Sequence, residues 1–521
     1  MEKKLVMGLP SLVSLQFFTV FPEYFVSVSI LYVLIVVALI TYNIYGLMLQ
    51  KAMSECMALI LFMACYLIVN DDLIALNFSS FNHSIINDYF GFFTKFIICF
   101  FSGVYFFIIA DTLKEQKLTS FEYLLVILFA VLGLMLMCSS NDLLTAYLAI
   151  ELSSLAFYIL ASFKKTSSYS IESGIKYFIT GAVSSAFFLL GSSFIYGAAG
   201  SINFSHFFDL FECSLFYEFP YHTAAESSIG LTELFDYNFV ELGLTLILFS
   251  LFIKLALAPF HLWSLDVYEG SPTSSTVFFA VIAKLSLFVL LVRLCYFSFF
   301  SLKSCWQFYS LWIGVFSIFV GSFGGLKQRR LKTLLAYSST SHMGYALISF
   351  STSTYVGVQM LLFYMVIYML SGLCMWSIVL SLRLRKKKFV AKYNKELGDL
   401  ALLRKSNSSL AFALALTMFS IAGIPPMIGF LAKMSVFLSV VGISFYFVAL
   451  ISILFSVVST FYYIRIIKVL YFENLLVGKL YYSIDTSKTI VLSALIFSLV
   501  FLFLNPTILY LFSYKVTLSL I

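Results

Sequence analysis

Charge is what this sequence is short of. Asp, Glu, Lys and Arg make up 11% of its 521 residues and hydrophobic residues 61%, against roughly 25% and 45–50% in soluble domains. With a mean hydropathy of +1.00, this excludes a water-soluble globular protein. Proline is scarce, at 8 residues, so the few places where it interrupts an apolar run carry information. The eight cysteines (56, 65, 99, 138, 213, 295, 305, 374) form no CxxC pair and no Cys/His cluster, which excludes iron–sulfur, haem and zinc spacings. Seven of them lie in or at the ends of apolar segments and read as small buried hydrophobes. There is no GxGxxG and no Walker loop. Any redox chemistry the chain takes part in must move its electrons elsewhere. The net charge of +7 does not point to nucleic acid, because the basic residues sit mostly in short loops. MEKKLVMGLP is too short and too close to charge balance to read as a transit peptide.

What is abundant is aromatic and apolar. Sixty Phe and 33 Tyr fit an A/T-rich organellar genome. Fourteen apolar spans are expected near 24–48, 56–69, 89–110, 121–139, 142–163, 171–196, 239–262, 272–297, 307–325, 331–350, 356–382, 409–441, 443–471 and 487–513, each close to the ~20 residues a bilayer needs. The second is short, and GIPP at 423–426 interrupts the twelfth. The expected fold is therefore an all-α polytopic membrane bundle. Basic residues gather after odd-numbered spans: Lys51, Lys114, Lys117, Lys164, Lys165, Lys327, Arg329, Arg330, Lys332, and the run from Arg383 to Lys405. Those loops are expected on the cytoplasmic or matrix side, with both termini opposite. The Arg383–Lys405 run is read as a solvated loop, with anionic lipid or a neighbouring subunit as the other reading. The acidic loop holding Asp266 and Glu269 lies on the same basic side, which invites a role in docking a partner or feeding protons.

The chain is organised around Leu251 to Pro272, LFIKLALAPFHLWSLDVYEGSP. Lys254 lies in an apolar helix that Pro259 interrupts. A lysine at mid-membrane costs at least ~2.5 kcal/mol on insertion scales, so it is a functional candidate by default. Proline also frees a backbone carbonyl, here that of Leu255, pointing to a hydrated site at membrane depth. Glu151, Lys284 and Lys433 are likewise too deep to snorkel, and His342 lies near the middle of the tenth span. Arg293, Arg465, Lys468, Lys176 and Lys95 are close enough to span ends to read as snorkelling or interfacial. One carboxylate and three amines on different helices resemble a proton relay. A static Glu151–Lys254 pair is the competing reading, as is a satisfied core histidine for His342. The interrupted spans, APF at 258–260 and GIPP, are five spans apart. Five-span separation inverts orientation, so spans 4–8 and 9–13 are expected to form an inverted repeat.

Five runs carry a family resemblance: ELSSLAFYILASFKK (151–165), ESGIKYFITGAVSSAFFLLGSSFIYGAAGS (172–201), FIKLALAPFHLWSLDVYEGSPT, LLAYSSTSHMGYAL and FSIAGIPPMIGFLAKM. They resemble the subunit 2 family (bacterial N subunit) of antiporter-like membrane subunits of respiratory complex I, NADH:ubiquinone oxidoreductase. The likeness covers roughly 120–440, and FPE at 21–23 fits the family's start. The resemblance implies fourteen helices with inverted five-helix repeats. It divides the chain into N-terminal helices (1–120), a first repeat (121–300), a second repeat (301–475) and a last helix (476–521). It places the proton relay on Glu151, Lys254, Lys284 and the exit-side Lys433, with quinone reduction elsewhere in the complex driving transfer. It further implies no cofactor on this chain: NADH, FMN, iron–sulfur clusters and ubiquinone belong to other subunits. Expected partners are neighbouring membrane-arm subunits (the antiporter-like subunit 4 and small ones such as 4L), accessory subunits, structural phospholipids and anionic lipid. The expected location is the mitochondrial inner membrane, or a bacterial plasma membrane. The sequence departs from the family in the long acidic 201–238 connection and in WSLD at 263–266, where a proline commonly precedes the aspartate. An Mrp-class cation/proton antiporter and a non-pumping scaffold are the rival functions.

Overall fold

The computed structural model of the chain describes residues 19–40, 46–70, 78–116, 118, 120–216, 237–384, 392–393, 396–401, 403–473 and 484–519. The chain is a polytopic helical membrane protein. Among the described residues twelve helices are long and apolar enough to cross a membrane. The order begins α1 (Phe21–Ile40), α2 (Gly46–Val69), α3 (Tyr89–Ile109), α4 (Glu122–Ser139), α5 (Leu143–Ser162) and α6 (Ser168–Ala199). A hairpin of β1 (Phe78–Ser80) and β2 (Ile85–Asn87) joins α2 to α3. Then come α7 (Tyr237–Leu255), α8 (Thr273–Ser298, π-helical over Phe278–Ile282 and Arg293–Ser298), α9 (Lys303–Leu326), α10 (Leu331–Phe350) and α11 (Tyr355–Ser381). The expected twelfth span is two pieces, α12 (Ser408–Ala422) and α13 (Ile428–Val441), followed by α14 (Tyr446–Tyr471), α15 (Thr486–Leu504) and α16 (Thr507–Leu518).

The second span is longer than expected because it starts upstream of the apolar run. Gln50 donates to the carbonyl of Leu118 (2.5 Å) and Lys51 pairs with Asp111 (3.1 Å), so both polar residues can lie inside the helix. α10 is not among the twelve long apolar helices, yet nearly all of it is buried. Its hydroxyls at Ser338, Ser339, Thr340 and Ser341 donate to their own helix's carbonyls one turn back, which removes the cost of burying them. The 201–238 connection begins with the helix Phe204–Phe216, and the rest of it to 236 lies outside the described residues. So do Asp71, Asp72 and Lys117, much of the Arg383–Lys405 run, and the side chain of Cys213.

Burial sorts the helices. The window of α8 is wholly buried and that of α11 is 83% buried, whereas α6 and α14 are 28% buried and α15 is 17% buried. α8 is thus the axis of the bundle, and a charge at its centre cannot reach the surface by snorkelling.

The two interrupted spans break with one geometry. After α7, Ala256 takes a left-handed conformation (φ 57°), its N–H bonding to Ile253 O (3.1 Å) and that of Leu257 to Phe252 O (3.1 Å). After α12, Gly423 does the same (φ 79°), its N–H bonding to Ser420 O (3.2 Å) and that of Ile424 to Phe419 O (3.1 Å). Each is a left-handed helix cap satisfying the last carbonyls, with proline following because the helix cannot continue. In α7 the carbonyl that also finds a side-chain partner is that of Ile253, which accepts from Trp263 Nε1 (2.9 Å) in addition to the Ala256 N–H.

Candidate functional site

The site is built on these two breaks. Helix C-termini carry partial negative charge on unsatisfied carbonyls, which favours cations there. Lys254 is in the last turn of α7. Lys433, one turn into α13, reaches back so that Nζ donates to the carbonyl of Ala422, the last residue of α12 (2.7 Å). One lysine sits in the last turn of its own broken helix, and the other is supplied from across the break to the last carbonyl of α12.

Lys254 and Lys284 line a common cavity of about 40 Å³, together with Ser153, Ser154 and Tyr158 of α5, Tyr177 of α6 and Trp263. A buried water needs about 10–15 Å³ of such space, so a few waters fit. Among the described residues neither amine has a hydrogen-bond partner. Glu151 stands on α5 beside the cavity wall. Its Oε2 accepts from Ser154 Oγ (3.2 Å), while Oε1 has no protein partner. Glu151 and Lys254 do not form an ion pair, so the static-pair reading loses its geometric basis.

Lys284 lies at the start of the α-helical stretch that follows the first π segment of α8. Its Nζ is 5.6 Å from the centre of the Tyr368 ring on α11. His342 also lies beside that ring, with the ring centres 5.5 Å apart. His342 and Lys433 line a second cavity of about 20 Å³, with Tyr364, Tyr368, Ser371 and Ser420. His342 is a satisfied buried histidine, with Nδ1 2.6 Å from Tyr364 Oη and Nε2 3.3 Å from Tyr463 Oη. Those partners are hydroxyls able to donate or accept, so satisfaction and relay are compatible. Lys433 is 5.5 Å from the Tyr345 ring. Lys254 and Lys284, carried by α7 and α8, thus share one cavity, His342 and Lys433, carried by α10 and α13, share another, and Glu151 of α5 stands next to the first.

Several polar contacts were missed by sequence reasoning. Lys95 is not interfacial: it pairs with Glu23 at 2.5 Å, both 3% exposed. Arg293 is buried, donating to Asp88 Oδ1 (2.7 Å) and to Cys138 O (3.0 Å). The expected acidic loop is instead the short helix Leu262–Gly270, held within the chain, Glu269 by Arg330 and Asp266 by Lys176 (2.7 Å), which ties the start of α10 and the body of α6 to the first break. The available signal for the tyrosines was the Tyr364/Tyr368 spacing, which puts both on one face of a helix.

Outside the spans, Asp142 precedes α5. Burial pushes its carboxyl up from 3.8 to about 6, against the opposing pull of His206 and His83. The folded state holds this proton more tightly than the unfolded chain, so the cost of the charge is full above pH 6 and vanishes below pH 3.8. By linkage, stability falls as pH rises through that window. Asp142→Asn, an equally good helix cap, is expected to raise the melting temperature at pH 7.5. Melting curves of the two proteins should converge as the pH is lowered through 5.

The NADH:quinone oxidoreductase/Mrp antiporter transmembrane family matches residues 140–459, a range that includes Glu151, Lys254, Lys284, His342 and Lys433. NADH-ubiquinone oxidoreductase chain 2 of Marchantia polymorpha is 38% identical over 410 residues, 79% of each chain. NADH-quinone oxidoreductase subunit N of Pelagibacter ubique is 36% identical over 456 residues, 87% of this chain and 89% of that one. The fold matches a chain in the structure of respiratory complex I from Thermus thermophilus with bound aureothin, at 24% identity and a TM-score of 0.72, covering 94% of this chain and 98% of that one. The chain belongs to the NADH:quinone oxidoreductase/Mrp antiporter family of membrane subunits, in the branch of chain 2 and subunit N.

Proposed function

We propose that this chain is a proton-translocating membrane-arm subunit of NADH:quinone oxidoreductase, respiratory complex I, and that protons cross it through Glu151, Lys254, Lys284 and Lys433, with His342 between the last two. The observation that carries the reading is the shared cavity: two buried ammonium groups face it, and neither has a protein partner. Burying an unpaired amine costs several kcal/mol, a cost that packing does not explain and proton exchange does. Glu151, next to the cavity-lining Ile150 on α5, raises the proton affinity of Lys254 when it approaches and lowers it when it withdraws. Quinone reduction elsewhere in the complex drives that displacement. Lys284 then receives the proton, and Lys433 releases it toward the side opposite the basic loops.

The inverted repeat of spans 4–8 and 9–13, within fourteen spans, belongs to the same reading. The doubled break supports it, and so does a matching close contact. A Cβ on Gly133 of α4 would fall 2.8 Å from Ser153 N of α5, and one on Gly321 of α9 would fall 2.7 Å from Ser341 N of α10. The four-part division at 120, 300 and 475 follows from that repeat. Both termini lie on the intermembrane-space or periplasmic side, and the membrane is the mitochondrial inner or the bacterial plasma membrane. Other complex I membrane subunits are the partners, an antiporter-like subunit 4 and a 4L-type subunit among them, with accessory subunits and anionic phospholipids over the exposed apolar faces of α6, α14 and α15. Flavin, iron–sulfur clusters, NADH and quinone are bound by other chains. Affinity purification of the tagged chain tests this: NADH:quinone reductase activity with flavin and iron–sulfur absorbance should copurify. Recovery with a cation/proton exchanger that lacks those groups would overturn it.

A further inference from the structure

Lys254 and Lys284 line one cavity, His342 and Lys433 line another, and one aromatic ring lies close to both Lys284 and His342. Tyr368 presents its ring to both sides, to Lys284 Nζ at 5.6 Å and to the His342 ring at 5.5 Å. It lines the His342/Lys433 cavity, whereas Lys284 lines the Lys254 cavity. Its hydroxyl is engaged, donating to the carbonyl of Ala280 (2.8 Å). Ala280 belongs to the π-helical stretch Phe278–Ile282 that immediately precedes Lys284. A π turn misaligns its carbonyls with the ordinary ladder, and such turns often mark functional sites. α11 also packs closely on that stretch, since a Cβ on Gly372, one turn after Tyr368, would meet Val281 Cγ2 at 3.0 Å. The ring position is therefore tied to the shape of the π turn.

Resting on the relay reading above, we propose that Tyr368 is a gate between the two proton-carrying cavities, latched shut by the Ala280 carbonyl. A ring face attracts the Lys284 ammonium without accepting its proton, and it keeps the waters of the two cavities apart. When the π turn shifts, the latch bond breaks and the ring swings. The proton then leaves Lys284 Nζ through water for the ring nitrogen of His342 that carries no hydrogen, and the tyrosine hydroxyl that had donated to that nitrogen, on Tyr364 or Tyr463, turns to accept from the imidazolium. Tyr368 acts by position and does not itself have to carry the proton. Gating keeps the half-path reaching Lys284 from opening directly onto the half-path leaving Lys433.

The test uses the assembled complex in sealed vesicles without substrate, following decay of an imposed pH gradient. Tyr368→Ala should speed the decay by roughly tenfold, equivalent to about 1.4 kcal/mol off the barrier, and NADH oxidation should lose its stimulation by uncoupler. Adding Lys284→Ala to that variant should return the decay to the parent rate, which separates a leak through the gate from one through a damaged bundle. Tyr368→Phe keeps the ring and the packing but loses the latch, so it should leak less than the alanine variant and more than the parent. Parent-like tightness and coupling in either assembled tyrosine variant overturns the gate. So does a leak that survives Lys284→Ala, or loss of pumping and turnover with no leak, which would make the hydroxyl an obligatory carrier. Lys284→Ala alone distinguishes the two levels: normal pumping there overturns the relay, whereas pumping lost there beside tight tyrosine variants overturns the gate only.

Discussion

Lys284→Met in the assembled complex is expected to leave the protein as stable as the parent or more so, while NADH-driven proton pumping falls by on the order of 100-fold, the scale of losing a positioned proton-transfer group. The two effects oppose each other for a physical reason. Lys284 is buried at 3% exposure, and its Nζ has no hydrogen-bond partner, only the face of Tyr368. Methionine fills similar volume with apolar atoms and removes a desolvated charge that nothing compensates, so the stability change is neutral or favourable. A lysine kept for packing would show the reverse, lower stability with activity retained. Thermal melting and pumping measured on one preparation separate the two cases.

Arg293→Met should behave oppositely, destabilising by about 3–5 kcal/mol because Asp88 is left buried without its cation. Arg293 also donates to the Cys138 carbonyl, while Asp88 accepts the N–H of Gly91 in the first turn of α3, so the pair joins α3, α4 and α8. Asp88→Asn combined with Arg293→Met should recover much of the loss, since no lone charge remains. A double-mutant cycle measures that coupling, and simple additivity would mean the pair is not a unit. The Glu23–Lys95 pair, equally buried, connects α1 to α3 in the same way.

The contrast between these lysines and this arginine explains what was legible in the sequence. Glu151, Lys254, Lys284 and Lys433 stood out because a charge deep in an apolar run is costly wherever its partners are. Both breaks were legible because proline ends a helix whatever surrounds it. Partnership was not legible. Lys95 looked interfacial from its place in the run, but its carboxylate comes from α1, 72 positions earlier in the numbering, and no local rule pairs them. Asp266 and Glu269 looked free to serve a partner, and both are taken by Lys176 and Arg330. Tyr368 gave little signal among 33 tyrosines. Its significance comes from packing of α11 against a π turn that residue patterns do not announce. The carbonyl that Pro259 was expected to free at Leu255 also differs in detail, because the cap at Ala256 moves the side-chain contact to Ile253.

The central claim is that proton transfer through this chain is coupled to turnover of the complex, and Lys254 is its most exposed point. The direct measurement records NADH oxidation and proton accumulation together on vesicles holding assembled complex with Lys254→Ala. The account predicts that both fall together, because a blocked relay holds back the reaction that drives it. Parent rates of oxidation and accumulation in the assembled variant would contradict it and leave the chain a scaffold in a pump that works elsewhere.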